Sequence, residues 1–295
     1  MRLQRIQFRG QEVLFARYDL VFKALLTADG NMELLASLLS YILDLDIRAH
    51  DIVVTNTELP PTHEEGRLSR VDVRAKLSDG KNCNIEIQLK NEHNIAKRSL
   101  FYTSKLYSDQ AISKIEFDEL CPAIAINILY FDFLPYEEYH NRYRLKNTRT
   151  NDELIDVFEI NFIELQKAPK DATDNLKDLW MRFLLADSAE ELEMLAKQDP
   201  IFEKAVNKLL YVSADEKLRY ELDMREKAEM DYWSAMKTNY RKGEQKGEQR
   251  GEKRGKQEGL RIVAKNLLSA GDSIEKIIEA TGLTREEVES LRDSG

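Results

Sequence analysis

The apolar positions of this chain follow two rhythms. Residues 17–28 and 31–45 repeat at the helical period, and in the second stretch Leu34, Leu35, Leu38, Leu39 and Ile42 form a single apolar face. Asn31 is placed to cap that helix, although Glu33 falls one residue short of a capping box. Residues 50–69 are polar and irregular, and Pro60-Pro61 excludes a helix there. Then the period changes to two. Val71-Asp-Val-Arg-Ala-Lys-Leu77 alternates strictly, and Asn84-Ile-Glu-Ile-Gln-Leu-Lys90 alternates again after the turn signal Ser78-Asp79-Gly80. The pattern predicts a β-hairpin. An amphipathic helix over 94–114 follows, carried by Leu100, Phe101, Leu106 and Tyr107. Residues 123–131 are apolar almost without break and predict a strand buried on both faces, with another strand over 158–165. Helices are expected over 176–185, 189–197, 201–212 and 214–240. The fold class is therefore α/β: a central mixed β-sheet flanked by helices, followed by a helical region and a small helical tail.

A repeat interrupts this order near the C-terminus. Gly243, Gly247, Gly251, Gly255 and Gly259 recur every four residues through a charged segment. Each glycine costs about 1 kcal/mol against alanine in a helix, so local propensity does not favour order. The same spacing would align the glycines as a slowly drifting helical stripe. A charged tether and a glycine-faced association helix are both open, and composition favours a linker that orders only on association. Residues 260–295 then predict a helical unit shaped like a helix-turn-helix, with Thr284 and Glu287 as a capping box. Its last helix carries Glu286, Glu287, Glu289 and Asp293 against Arg285 and Arg292. A net acidic helix is poorly suited to a major groove, so protein association is the better reading. The expected division is a core over 1–170, a helical region packed on or extending from it over 171–240, the repeat over 241–259 and the tail over 260–295.

Composition narrows the setting. No run approaches the roughly 18 apolar residues of a membrane span, and the basic N-terminus lacks the apolar stretch of a secretory signal, so no membrane association and a cytoplasmic location are expected. Cys83 and Cys121 both lie in apolar-patterned runs and are expected as free thiols, and the four scattered histidines offer no zinc spacing. The net charge of −9 argues against a protein that coats nucleic acid through its overall field. Local basic clusters exist at Arg142, Arg144, Lys146 and Arg149, and at Lys97, Arg98 and Lys105.

The hairpin concentrates the chemistry. A two-residue loop would set Asp72 against Ile87 and mismatch polar with apolar faces throughout. A three-residue loop with Gly80 in the left-handed bulge position pairs Leu77 with Lys81 and Asp72 with Glu86, keeping one face apolar. Two carboxylates then oppose each other about 5 Å apart at Cβ, close enough to share a divalent cation. The plainer alternative is a half-exposed hairpin whose acids pair with Arg74 or Lys90. Directly apposed acids repel unless something neutralises them, and the apolar strand that follows places this hairpin inside the sheet.

Val71-Asp72, Ile85-Glu86-Ile87-Gln88, Arg98-Ser-Leu-Phe-Tyr102 and Leu106-Tyr107 resemble the PD-(D/E)XK nuclease family transposases, relatives of the recombination-promoting nucleases of bacteria. Asp19-Leu-Val-Phe-Lys23 and the tail resemble the same group. The resemblance implies a restriction-endonuclease-like core over 1–170 and a Mg²⁺-dependent DNA endonuclease, with Mn²⁺ or Ca²⁺ as alternative ions, acting in recombination or element mobility. It implies Asp72 and Glu86 as metal ligands, the Ile87 backbone carbonyl as a third oxygen, and Glu33 or Asp19 as a completing upstream acid. The family motif ends in lysine; this chain has Gln88, which can position water but carries no charge. Lys90, one pleat further and about 7 Å along the strand, could reach in. Arg98, Lys97 and Lys105 are candidate phosphate contacts. DNA is the implied partner, with self-association through the repeat and tail. A degenerate nuclease fold that only binds nucleic acid or assembles with itself is the competing reading.

Overall fold

A computed structural model of the chain describes residues 3–28, 32–55, 58–59, 69–70, 72–113, 116–169 and 175–292. Two units are distinguished, a larger one over residues 2–224 and a smaller one over residues 225–295.

The larger unit opens with an antiparallel hairpin of β1 (Arg5–Phe8) and β2 (Gln11–Leu14). Helices α1 (Asp19–Thr27) and α2 (Met32–Leu43) follow, both at the positions where the 3.6-residue period predicts them. Asn31, the expected cap of α2, lies outside the described residues, as do Pro60 and Pro61. Next come β3 (Ile52–Val54), β4 (Glu58–Leu59), β5 (Ser69–Arg70), β6 (Val73–Leu77), β7 (Asn82–Gln88), α3 (Ile95–Ser108), β8 (Ala123–Leu129), β9 (His140–Arg144) and β10 (Phe158–Glu164). Among the described residues β4 and β5 pair only with each other, whereas the other six strands form one sheet in the order β3-β6-β7-β8-β10-β9. Its centre, β7-β8-β10, is parallel, and the outer pairs on either side are antiparallel. This is the mixed, helix-flanked sheet of a restriction-endonuclease-like α/β fold.

Every residue of β8 is buried, as its unbroken apolar run requires. On one face of the sheet, Ile85, Ile87, Ile126 and Ile128 pack into a core shared with α1, α2 and the helices α4 (Leu176–Leu185), α5 (Ala189–Gln198) and α6 (Pro200–Ser213). Trp180, Phe183 and Phe202 meet within it at ring separations of 5.1–6.1 Å. The helices through residue 213 thus share one core with the sheet instead of extending away from it. The other face of β7 and β8 is covered by α3, through the buried residues Ile95, Ser99, Thr103 and Leu106.

Sequence periodicity misses the edges. β3 has three residues, and its central Val53 is 63% exposed. β9 reads His-Asn-Arg-Tyr-Arg, with one apolar residue in five and no alternation to detect. Edge strands face the core on one side at most, so the apolar signal that marks a central strand is absent.

In the smaller unit the glycine repeat is helical. It lies inside α7 (Glu216–Ser269), one helix of 54 residues. The glycines are isolated between Glu, Gln, Lys and Arg, which are all good helix formers, and no proline interrupts them. The tail consists of α8 (Ile274–Thr281) and α9 (Arg285–Arg292), closed with the end of α7 around Ala264, Ile277, Leu283 and Val288. Its capping box forms reciprocally: Glu287 N–H donates to Thr284 Oγ1 at 3.2 Å and Thr284 N–H to Glu287 Oε2 at 2.9 Å. Among the described residues no helix is long and apolar enough to cross a membrane.

The hairpin turn sets the register of β6 against β7. Leu77 N–H donates to Lys81 O at 2.8 Å and Gly80 N–H to Leu77 O at 2.9 Å, which is the three-residue loop. Gly80 sits at φ +89°, and a Cβ there would collide with Cys121 Sγ. Gly80→Ala is therefore expected to lower stability by about 2 kcal/mol or more, combining left-handed strain with the collision. A urea melt that leaves the midpoint unchanged would contradict this turn geometry.

Candidate active site

The β6-β7 ladder pairs Val73 with Ile85 and Ala75 with Cys83. Continued by one step, that register sets Asp72 opposite Glu86. Asp72 lies in a bend just before β6, and its carboxylate turns toward β7: Asp72 Oδ2 accepts from Ile87 N–H at 2.8 Å. A side chain thus satisfies the backbone donor that a longer β6 would have met. Because the N–H and C=O of one strand residue project to the same side, the Ile87 carbonyl faces the side that Asp72 occupies.

Glu86 is 5% exposed, beside Asn84 and Gln88 at 5% and 9%. The polar face of β7 is therefore not solvated; it is sealed beneath α3. Arg98, from that helix, donates Nη2 to Glu86 Oε2 at 3.0 Å. The Gln88 carboxamide turns its oxygen toward the same guanidinium and accepts from Arg98 Nε at 3.3 Å, since an NH₂ group there would face only donors. Glu86 Oε1 is buried and makes no hydrogen bond among the described residues. Burial pushes the Glu86 carboxyl above its ordinary range, with the Arg98 charge and the neighbouring Asn84 amide offsetting part of the effect.

Asp72 is perturbed further. Burial first, then the charges of Glu86 and Asp19, push it up to about 7, while the Ile87 N–H and Arg98 oppose the shift. Asp19, at the start of α1, is thus near enough for its charge to be felt at Asp72. Glu33, the other upstream candidate, is instead engaged by Lys204 on α6.

β7 ends at Gln88, and Lys90 stands exposed in the bend that follows. Lys105 pairs with Asp109 at 3.6 Å, and Lys97 is exposed on α3. The cluster at Arg142 and Arg144 is no free basic patch. Arg142 pairs with Asp44 at 2.9 Å and Glu159 at 3.3 Å, and Arg144 pairs with Glu159 at 2.6 Å and Glu153 at 3.2 Å, which fastens the edge strand β9 to β10.

A family model for PD-(D/E)XK nuclease family transposases matches residues 16–239. The chain belongs to that family. Comparison with curated proteins and with solved structures gives no match.

Nucleases of the PD-(D/E)XK type generally use divalent metal ions, so the fit of such an ion can be tested on the residues present. Two observations favour it. Glu86 Oε1 is a buried acceptor without a hydrogen-bond donor among the described residues, and burial and its acidic neighbours push the Asp72 carboxyl above its ordinary range. A cation would satisfy both. Among the described residues, no group of three His, Cys, Asp or Glu side chains is close enough together to hold a metal by itself. A site here would take Asp72, Glu86, the Ile87 carbonyl and water.

The raised Asp72 carboxyl has a consequence for stability. With a folded value near 7 and an ordinary value of 3.8, the metal-free protein is most stable below about pH 4 as far as this group is concerned, and it loses that contribution as pH rises through 7. Asp72→Asn, which keeps an acceptor for Ile87 N–H, is expected to raise the Tm in EDTA at pH 8 and to flatten its decline between pH 5 and 8. The scale is a few kcal/mol, at about 1.4 kcal/mol for each tenfold change in proton affinity. Parallel Tm profiles for the two proteins would show that Asp72 is not so perturbed.

Proposed function

We propose that this chain is a divalent-metal-dependent DNA endonuclease, with Mg²⁺ the expected ion and Mn²⁺ or Ca²⁺ alternatives, acting in recombination or element mobility. One observation carries the reading. Two carboxylates, half-buried Asp72 and fully buried Glu86, are apposed across the hairpin, and one oxygen of the pair has no partner among the described residues. Holding two acids in this way costs stability unless a cation is shared between them.

In this reading Asp72, Glu86 and the Ile87 carbonyl hold the ion, and Asp19 adds negative charge from α1. When bound, the ion supplies Lewis acidity toward water and phosphate. Gln88 offers a neutral amide to orient the attacking water. α3 keeps solvent from Glu86 and holds its carboxylate through Arg98. Exposed Lys97 lies on the same helix as Arg98, where it would meet a polyanion.

Plasmid nicking in Mg²⁺ tests this directly. Wild type is expected to cut and to stop in EDTA, with Asp72→Ala and Glu86→Ala reduced by at least about 100-fold. Equal residual cutting by all three would mark a contaminant and end the enzyme reading, leaving a binding protein built on a nuclease fold.

Self-association through the repeat and tail is part of the same proposal. What supports it is the exposed face of α7. Tyr232, Met236 and Tyr240 are 59%, 48% and 77% exposed, and helical geometry lines them up with Gly243 and Gly247. The glycine stripe runs between an acidic stripe (Glu244, Glu248, Glu252) and a basic one (Lys242, Lys246, Arg250, Arg254). A parallel two-fold pair sets each acidic stripe against the partner's basic stripe, whereas an antiparallel pair sets like against like. Truncation after Tyr240 is expected to reduce the mass in solution, and an unchanged oligomeric state would exclude this face.

A further inference from the structure

The family motif places a lysine where this chain has Gln88, so the site needs positive charge from elsewhere. Arg98 stands closest. Its guanidinium binds Glu86 Oε2 through Nη2 at 3.0 Å and Gln88 through Nε at 3.3 Å, so it touches both head groups of the Glu-X-Gln triplet. Nη1 lies 3.5 Å from Glu92, and the side chain is 27% exposed, leaving an edge toward solvent.

The position of Arg98 is built rather than incidental. Its neighbour Ser99 is 2% exposed and accepts from Asn127 Nδ2 at 2.8 Å. Asn127 stands directly beside Glu86 in the β7-β8 register. A closed circuit results: Glu86 to its sheet neighbour Asn127, Asn127 to Ser99, and Arg98 back to Glu86. Asn127 is the one polar residue in an otherwise apolar strand, 2% exposed. Burying it is costly without such a partner.

We propose that Arg98 is the positioning residue that carries the charge of the missing lysine. It holds Glu86 by one oxygen, so that Oε1 stays directed away from α3, and it orients the Gln88 amide. The charge has moved from strand β7 to helix α3 while its end point stays beside residue 88. A guanidinium stays protonated at any working pH and offers several donors in a plane, so it can hold both groups at once as an ammonium cannot. The inference rests on the nuclease reading for its role in cutting. Its geometric content stands separately.

The test is charge relocation. Arg98→Ala, Gln88→Lys and the double variant are compared with wild type by kcat for nicking in Mg²⁺ and by Tm in EDTA. Arg98→Ala is expected to lower kcat by about 100-fold or more and to lower Tm. Gln88→Lys alone is expected to lower both, because it puts two cations at one carboxylate. In the double variant the new lysine replaces the lost charge, and kcat should recover at least about tenfold over either single change, with Tm also restored. Losses that simply add, or a gain from Gln88→Lys in the presence of Arg98, would overturn the proposal. Restored Tm without restored kcat in an active enzyme would reduce Arg98 to a structural support and also overturn it. If wild type itself does not cut, the nuclease reading falls, and the Tm cycle alone decides: coupling upholds the relocated charge, and additivity removes it.

Discussion

Strand pairing has a period of two, so a slip of one residue in the β6-β7 hairpin would exchange its faces. Gly80 prevents that slip. Its left-handed conformation closes a three-residue loop, and Cys121 packs where any larger residue would need room. From this register follow the isoleucine face that meets α1, α2 and α6, and the polar face that meets α3. It also brings an acid from the bend before β6 beside an acid from the middle of β7. Core and candidate site are two faces of one decision about pairing.

The polar face shows how the sheet tolerates what it buries. Glu86, Asn84, Gln88 and Asn127 lie beneath a helix that contributes Ser99, Thr103 and Arg98. Most of these groups find one another. The exceptions are an oxygen of Glu86 and one of Asn84. Fully satisfied buried networks rigidify a fold, and a gap in one marks a place where the chain alone does not complete its chemistry. Here the gap is at Glu86, whose charge, after burial, is among the causes that raise the Asp72 carboxyl. The contrast with β9 and β10 is instructive, because Glu159 is as deeply buried as Glu86 yet is held by two arginines.

Much of this was legible from residue patterns. The hairpin register, the pairing of Asp72 with Glu86, the buried strand β8 and the helices α1 to α6 all follow from periodicity and one glycine turn. What escaped did so for physical reasons. β9 carries mostly polar residues and reveals itself only through partners distant in sequence. Whether Arg142 and Arg144 are open or paired depends on Asp44, Glu153 and Glu159, which no local window joins. Helix propensity counted the cost of each repeat glycine but underweighted the strong helix formers between them. The bond from Arg98 to Glu86 spans twelve residues and a change of element. Its only visible trace was Asn127, a polar residue in a run that otherwise had none.

Cys83 lies on β7, wholly buried on the core face three residues before Glu86, and burial pushes its thiol up to about 12. Such a sulfur is chemically silent while the core is closed over it, because it is the thiolate that attacks an alkylating reagent, and the reagent must reach it. The molecule therefore contains its own clock for the opening of the core over β7. Each modification of Cys83 under native conditions records a moment when the core packed on that face has opened, separately from the more accessible Cys121.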